Sequence, residues 1–230
     1  MQALRSAFTE VWTPSPVVPI VQFADSVSSI ANTGIDVVGL PGRPLPERLR
    51  EFDRIVSWYG ANRPEFVEAV SGLPFEFHRA LPPKDCVIHA TDFFLRQVGV
   101  LPGAVPTIRA ESGNASGTVI HPFSGSLKKN WPIENFQAVA SKLDRVQWIA
   151  GPEETLDNAT HFNSIHEIAN LLSGAERYIG NDSGITHLAA AVGVPVIAIF
   201  GPTDPRVWAP RGENVRVLVN PTIEDVLRLC

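Results

Sequence analysis

The clearest alternation of apolar and polar positions lies near the C-terminal end of the chain. Residues 177–180 read as a strand, residues 181–184 are polar, residues 186–192 have the alanine-rich composition of a helix, and residues 196–200 are continuously apolar. Gly193 ends the predicted helix, because glycine is favoured just after a helix C-terminus. A strand, a helix and a second buried strand in this order predict a parallel βαβ unit.

Polar turns follow both strands of this unit, at residues 181–184 and 201–205. Ligands bind at the carboxyl ends of parallel strands, and the start of the helix offers free N–H groups and a positive dipole end that suit a phosphate. His187 lies four residues after Ser183 and therefore on the same helix face. An ordinary βαβ unit with a capped helix explains the Asp-Ser-Gly turn equally well, so both interpretations stay open.

The same alternation extends through the second half of the chain. Ser164 followed by Glu167 predicts a capping box at the start of one helix. The predicted strands cover residues 118–123, 146–150 and 215–219, and the predicted helices cover residues 133–143, 164–172 and 222–229.

The first half of the chain is less regular, and its first eight residues have the pattern of a helix tail. Segments rich in proline, glycine and serine at residues 101–106 and 111–117 predict a linker. The chain is therefore predicted to form two domains, residues 1–111 and residues 112–230. In the first domain the predicted strands cover residues 17–23, 36–40, 54–58 and 74–78, and the predicted helices cover residues 24–32, 46–52, 64–70 and 87–98.

Composition and charge limit the kinds of function that the chain can have. The formal net charge of −5 provides no basic field, which argues against a nucleic-acid partner. Cys86 and Cys230 match no metal or redox spacing and fit a reducing, cytosolic compartment. No run of 18 apolar residues occurs, and a chain of this kind can still work at a membrane surface. No Asp-x-Asp sequence is present, so we expect no metal-bridged diphosphate and no metal site.

The residue types of two loops allow either a ligand-binding or a purely structural interpretation. Residues 124–132 combine glycine and serine, which allow close backbone approach to a ligand, with Lys128 and Lys129, which supply mobile positive charge. On residue types alone, a solvated loop with two lysines is the favoured interpretation. In the turn at residues 151–154, the glutamates suit either hydrogen bonds to ribose hydroxyls or the start of a helix.

A long motif with unusual residue types covers the predicted βαβ unit. It comprises Asp182, Ser183, Gly184, His187, Ala189 and Ala190, then Pro195, and finally the run Phe200-Gly-Pro-Thr-Asp-Pro205. This motif resembles the signature of glycosyltransferase family 9, which holds the ADP-heptose:lipopolysaccharide heptosyltransferases. The resemblance implies an α/β protein of GT-B type, with two Rossmann-like domains facing a cleft.

The resemblance also implies roles for individual residues. The loop before Trp131, with Lys129 two positions ahead of it, resembles the family's phosphate-binding loop. An acidic residue after the strand at 146–150 would contact the ribose, and either glutamate of that turn fits. His89 resembles an acceptor-side histidine, although a surface histidine on a helix is the simpler interpretation. The implied nucleotide and phosphate contacts are Ser124, Gly125, Ser126, Lys129, Glu153, Glu154, Asn163, Ser183 and Gly184, and the implied donor-sugar contacts are Asp182 and His187.

The start of the chain departs from the family pattern. In the family a first strand leads to a Gly-Asp turn, whose aspartate is the general base, and then to a helix ending in a pattern like Ala3-Leu4-Arg5-x-x-Phe8. No residue here matches that base, so the catalytic residue is left unassigned. Asp25 and Asp92 are the first-domain carboxylates that could substitute. We therefore expect sugar-nucleotide binding with very slow transfer or none.

The implied reaction is inverting transfer of a heptose-like sugar from an ADP-sugar to a lipopolysaccharide-core or similar glycan acceptor. It needs no metal and no cofactor, and it would take place in the cytoplasm, with room for peripheral association at the inner face of the bacterial inner membrane. The alternative is a sugar-nucleotide-binding protein without transfer activity. A sugar-nucleotide epimerase of similar architecture is a weaker interpretation, because the Gly-Pro-Thr-Asp-Pro turn favours family 9.

Overall fold

The computed structural model describes residues 1–4, 6–111, 113 and 115–230. It forms two compact units, Met1–Ala104 and Val105–Cys230. Two residues used in the sequence predictions lie outside the described residues. They are Arg5 of the helix-tail pattern and Ser112, the predicted first residue of the second domain.

The first unit contains two separate two-stranded parallel sheets. Its core is built from Ile35, Val38, Leu49, Phe66 and Val70. The strands are β1 (Glu10–Thr13), β2 (Ser26–Ser29), β3 (Ile55–Ser57) and β4 (Phe75–Phe77), and the α-helices are α1 (Ile30–Thr33), α2 (Pro64–Ala69) and α3 (Ala90–Gln97). Short 3₁₀ helices cover Ser15–Ile20, Ile35–Val37 and Glu47–Glu51.

Several predictions for the first unit are wrong. The segment predicted as a strand at residues 17–23 begins in the 3₁₀ helix Ser15–Ile20, where Pro19 removes a backbone donor that a sheet would need. Residues 24–32 are predicted as a helix, but residues 26–29 form β2, because their serines favour non-helical hydrogen bonding, and only residues 30–32 are helical, in α1. Residues 36–40 contain part of a 3₁₀ helix instead of a strand. No helix occurs in the described residues 1–4 and 6–8.

The second unit is built on a six-stranded parallel sheet, with the strand order β10-β9-β8-β5-β6-β7. The strands are β5 (Thr118–His121), β6 (Val146–Ala150), β7 (Thr160–His161), β8 (Arg177–Asn181), β9 (Val196–Phe200) and β10 (Val215–Val219). The helices are α4 (Ile133–Ala140), α5 (Ile165–Ser173), α6 (Gly184–Val192), α7 (Pro205–Trp208) and α8 (Ile223–Leu227).

Buried strands explain why this unit is regular. Every residue of β9 is buried, and Ile120, Ile179 and Ile199 belong to a core that also contains Trp131 and Phe136. The predicted capping box at Ser164 is wrong, because that side chain makes no cap hydrogen bond. A capping box occurs instead at α8, between Thr222 and Asp225.

Among the described residues, no helix is both long and apolar enough to span a membrane. In the same parts of the chain, no group of three or more histidine, cysteine, aspartate or glutamate side chains is placed to hold a metal ion.

Candidate functional site

Two of the predicted ligand-binding segments meet at the carboxyl edge of the six-stranded sheet. Strands β5 and β8 are neighbours, with His121 opposite Gly180, so the loop after β5 and the turn after β8 leave the sheet side by side. Their closest charged contact joins Lys129 Nζ to Asp182 Oδ2 at 3.1 Å. The Asp182 side chain is 7% exposed and that of Lys129 is 28% exposed, so the lysine is the partner that a ligand can reach.

A buried asparagine fixes this junction. Asn181, the last residue of β8, is fully buried; its Nδ2 donates to the carbonyl of Pro122 at 2.6 Å, and its Oδ1 accepts from the amide of Trp131 at 2.9 Å. One side chain therefore provides hydrogen-bond partners for backbone groups at both ends of the loop after β5. The sequence predicts Asn181 only as a turn residue; the signal for its buried role is an amide side chain directly at the end of a buried strand.

The start of α6 is held by a network of buried hydroxyls. Ser183 caps the helix, since its hydroxyl accepts from the amide of Thr186 at 3.4 Å. The Thr186 hydroxyl donates to the carbonyl of Asn181 and lies 3.1 Å from the hydroxyl of Tyr178. Burial raises the pKa of the Tyr178 phenol, which therefore stays a neutral hydrogen-bond donor at physiological pH. This network holds the turn that contains Asp182 in place.

The loop after β5 is open where a ligand would approach. The Ser124 hydroxyl lies 2.8 Å from the carbonyl oxygen of Ser126 and 2.6 Å from Asn130 Oδ1, so the loop is braced from within. A Cβ added at Gly125 would meet no atom within 4 Å, and the same holds for Gly184 at the start of α6. Both glycines thus face space that a phosphate could fill.

The two glutamates after β6 have different surroundings. Oε2 of Glu154 accepts from the Gly151 amide at 2.6 Å and lies 2.9 Å from His121 Nε2, whereas Glu153 is exposed. Burial acts to raise the pKa of Glu154, but the hydrogen bonds from His121 and Gly151, together with the charges of His121 and His161, outweigh it and hold that pKa below its usual range. Glu154 is therefore ionised at neutral pH.

The remaining second-unit residues predicted for the site are exposed. His187 lies on the first turns of α6, and its amide donates to the carbonyl of Ser183 at 3.3 Å. Asn163 immediately precedes Ser164, the N-terminal cap residue of α5. Both residues are on the surface of the second unit and are accessible to a ligand.

The first-unit candidates all make local structural contacts. His89 is the N-terminal cap of α3, and its Nδ1 accepts from the amide of Thr91 at 3.2 Å. A carboxylate oxygen of Asp25 accepts from the Thr9 amide at 2.7 Å, and one of Asp92 accepts from the Gly103 amide at 2.8 Å. The helix-cap position of His89 was not expected from the sequence, because histidine is not among the preferred capping residues.

A parallel α/β sheet with open glycine loops, a lysine and a capped helix start at its carboxyl edge is the architecture of a Rossmann-like domain. Residues 107–226, more than half of the chain, match the family model of glycosyltransferase family 9 (heptosyltransferase). The chain belongs to glycosyltransferase family 9, as the sequence motif indicated.

Curated relatives match part of the chain. Lipopolysaccharide heptosyltransferase 1 of Salmonella typhimurium is 38% identical over 109 residues, which cover 40% of this chain and 34% of that protein. Lipopolysaccharide heptosyltransferase 3 of Escherichia coli is 30% identical over 119 residues, which cover 42% of this chain and 34% of that protein. These alignments span about a third of the relatives' length. Both names are those of transferases.

Solved structures confirm the predicted α/β fold of GT-B type. The ADP-heptose lipopolysaccharide heptosyltransferase II of E. coli superimposes with a TM-score of 0.72 at 15% identity, covering 98% of this chain and 89% of that one. A family 9 glycosyltransferase from Veillonella parvula superimposes with a TM-score of 0.66 at 17% identity, covering 92% of this chain and 76% of that one.

Proposed function

We propose that this chain is a glycosyltransferase that takes a heptose-like sugar from an ADP-sugar and transfers it, with inversion, to a lipopolysaccharide-core or similar glycan acceptor. The observation that carries the proposal is the pairing of Lys129 with Asp182 beside the start of α6. It places a partly exposed cation and free helix amides at one edge of the sheet, where a diphosphate would be bound. The named relatives supply the sugar and the acceptor class.

In this proposal, protein groups stabilise the leaving group without a metal. In the proposed complex, Lys129 turns from Asp182 to the diphosphate, while the first amides of α6 and the backbone at Gly125 and Gly184 donate to its oxygens. These groups neutralise the charge that develops on ADP as the glycosidic bond breaks. Asp182, released from its ion pair, and the exposed His187 then contact the donor sugar.

Glu153 is the glutamate that we assign to the ribose. The Oε2 atom of Glu154 already accepts two hydrogen bonds, from Gly151 and His121, whereas Glu153 is exposed at the tip of the same turn. A carboxylate with both oxygens available can accept from the two adjacent ribose hydroxyls. Asn163, beside the cap of α5, is the proposed backbone contact for adenine.

The ribose assignment predicts a selective loss of affinity. Glu153→Ala is expected to weaken ADP binding by about 1.5–3 kcal/mol, the range for hydrogen bonds to a charged group. With 2′-deoxy-ADP, the difference between wild type and variant should shrink to about half, because one of the two hydroxyls is missing. Calorimetric titration with both nucleotides measures this; an equal loss with both would contradict a contact to the 2′-hydroxyl.

ADP binding itself is the first test of the proposed function. ADP should raise the melting temperature of the full chain, since a ligand selective for the folded state contributes about 2.7 kcal/mol at a concentration 100 times its Kd. GDP, UDP and CDP should raise it less. Equal shifts with all four nucleotides would remove the adenine preference, and the absence of a shift would overturn the site.

Transfer requires a separate measurement. The full chain is incubated with labelled ADP-heptose, with and without a lipopolysaccharide-core acceptor, and label in the acceptor is counted. Acceptor-dependent transfer supports the enzyme. Binding of ADP without any transfer would instead support the sugar-nucleotide-binding alternative.

A further inference from the structure

A buried histidine lies next to the proposed nucleotide site without a role in the contacts assigned so far. His121 is the last residue of β5 and is 4% exposed. Its Nε2 lies 2.9 Å from Glu154 Oε2, at the end of the neighbouring strand β6. Its other ring nitrogen, Nδ1, is buried and has no partner in the part of the chain that the structure describes. Among the described residues, the His121 side chain therefore hydrogen-bonds only to the turn after β6.

The direction of this hydrogen bond follows from the state of the carboxylate. Glu154 is ionised at neutral pH, and an ionised carboxylate only accepts, so Nε2 of His121 carries the donated proton. The same carboxylate oxygen accepts from the Gly151 amide at 2.6 Å, and the Glu154 amide donates to the Gly151 carbonyl at 3.3 Å. The turn of residues 151–154 is thus closed by its own backbone and side chain, and His121 ties it to the middle of the sheet.

We propose that His121 is a positioning residue for the nucleotide site: acting through Glu154, it fixes the turn of residues 151–154 so that Glu153 is presented to the ribose. The inference rests on the proposed function, because the ribose contact of Glu153 is part of that function. The inference deepens the proposed function by assigning a role to a side chain outside the ligand contacts proposed above.

The pH dependence of ADP binding distinguishes a positioning role of His121 from general support of the fold. Glu154 is hydrogen-bonded to His121 on β5, and the titratable groups that interact with it electrostatically are His161 on β7 and Tyr178 on β8. Because the pKa of Glu154 is lowered in the folded protein, the ordered turn persists above that pKa and is lost as the pH falls through it. Without the His121 donor, burial weighs more heavily against the carboxylate and its pKa rises. The turn should then be lost at a higher pH.

The first test compares variants of the full chain by ADP titration from neutral to acidic pH. His121→Phe, which keeps a ring of similar shape, should bind ADP about tenfold more weakly at neutral pH. The acid limb of its affinity profile should also lie at higher pH than that of the wild type. His121→Gln, which retains a side-chain donor, should recover most of both properties. Glu154→Gln removes the ionisation on which His121 acts, so adding His121→Phe to it should shift the acid limb no further. His161→Gln is the comparison variant: His161 Nδ1 lies 3.1 Å from the Gly151 carbonyl but makes no hydrogen bond to Glu154, so its loss should change the acid limb less than that of His121.

A second readout needs no nucleotide. The Gly151 amide donates to Glu154, so its NMR shift should follow the titration of that carboxyl, with a midpoint that moves upward in His121→Phe. If the wild type binds ADP and His121→Phe binds it equally well at every pH, the inference is overturned and the proposed function stands. If the wild type binds no ADP, the proposed function is overturned, and the Gly151 midpoint alone decides whether His121 holds the turn. Should His121→Phe not fold, Glu154→Ala breaks the same contact from the other side and should give the same tenfold loss.

Discussion

Replacing Asn181 by alanine should destabilise the folded protein by about 2–5 kcal/mol, because it leaves two buried backbone groups without partners. The carbonyl of Pro122 would lose its donor at 2.6 Å, and the amide of Trp131 would lose its acceptor at 2.9 Å. Both groups belong to the loop that carries Lys129, so ADP affinity should fall together with stability. Urea denaturation followed by tryptophan fluorescence measures the first effect, and calorimetry measures the second.

Two further variants test whether the buried hydrogen bonds of Asn181 cause the loss of stability. Asn181→Asp keeps the acceptor for Trp131 but cannot donate to Pro122 when ionised, so it should also destabilise the protein. Asn214→Ala is the matched control, since the exposed Asn214 donates only at 3.5 Å to the Gly193 carbonyl and its loss should stay within about 0.5 kcal/mol. If Asn181→Ala were as stable as this control, the buried hydrogen bonds would not be what holds the loop.

The second unit was predictable from sequence because its central strands β5, β8 and β9 are buried on both faces. A continuous apolar run such as residues 196–200 has few alternatives to a central parallel strand, and β9 occupies that segment with every residue buried. Turn chemistry added the boundaries, as at Ser183, which caps α6, and at Gly193, which ends it in a left-handed conformation with φ of 97°.

The first unit was predicted less well because its elements are short and half-buried. No residue of β2 is buried, so its sequence carries no core-facing pattern, and the β-branched residues of 17–23 suggested a strand that the 3₁₀ helix Ser15–Ile20 overrides. In contrast, β3 and α2 were predicted within two residues of their observed bounds, since Phe66 of α2 is fully buried in the core.

The candidate site was predictable as a set of residue types, but its internal contacts were not. Family resemblance singled out Lys129 and Asp182, which are 53 positions apart in sequence and lie in contact. The roles of Asn181 and His121 depend on the register that sets His121 opposite Gly180, and on which loops then meet. Neither the register nor the strand order follows from the pattern of apolar residues, so the partners of these two side chains could be identified only from the structure.

Lys129→Ala should weaken ADP binding by about 1–3 kcal/mol, the range for a charge-assisted contact, whereas Lys128→Ala should change it much less. Lys129 lies 3.1 Å from Asp182 at the start of α6, while Lys128 is exposed on the short 3₁₀ helix Leu127–Lys129. The two lysines are adjacent and equally charged, so long-range attraction for ADP is nearly the same for both and the comparison isolates the local contact.

The loss in Lys129→Ala has to be separated from the effect of leaving Asp182 without its cation. Asp182→Asn also breaks the ion pair, but it leaves Lys129 free for phosphate, and ADP carries no donor sugar for Asp182 to contact. ADP affinity should therefore be kept or increased in Asp182→Asn and lost in Lys129→Ala, as measured by calorimetric titration of both variants and of Lys128→Ala. Equal losses in the two ion-pair variants would mean that the pair shapes the loop and that Lys129 does not bind phosphate. A larger loss in Lys128→Ala than in Lys129→Ala would assign the phosphate contact to Lys128. The alignment of this loop with the family motif would then have to shift by one residue.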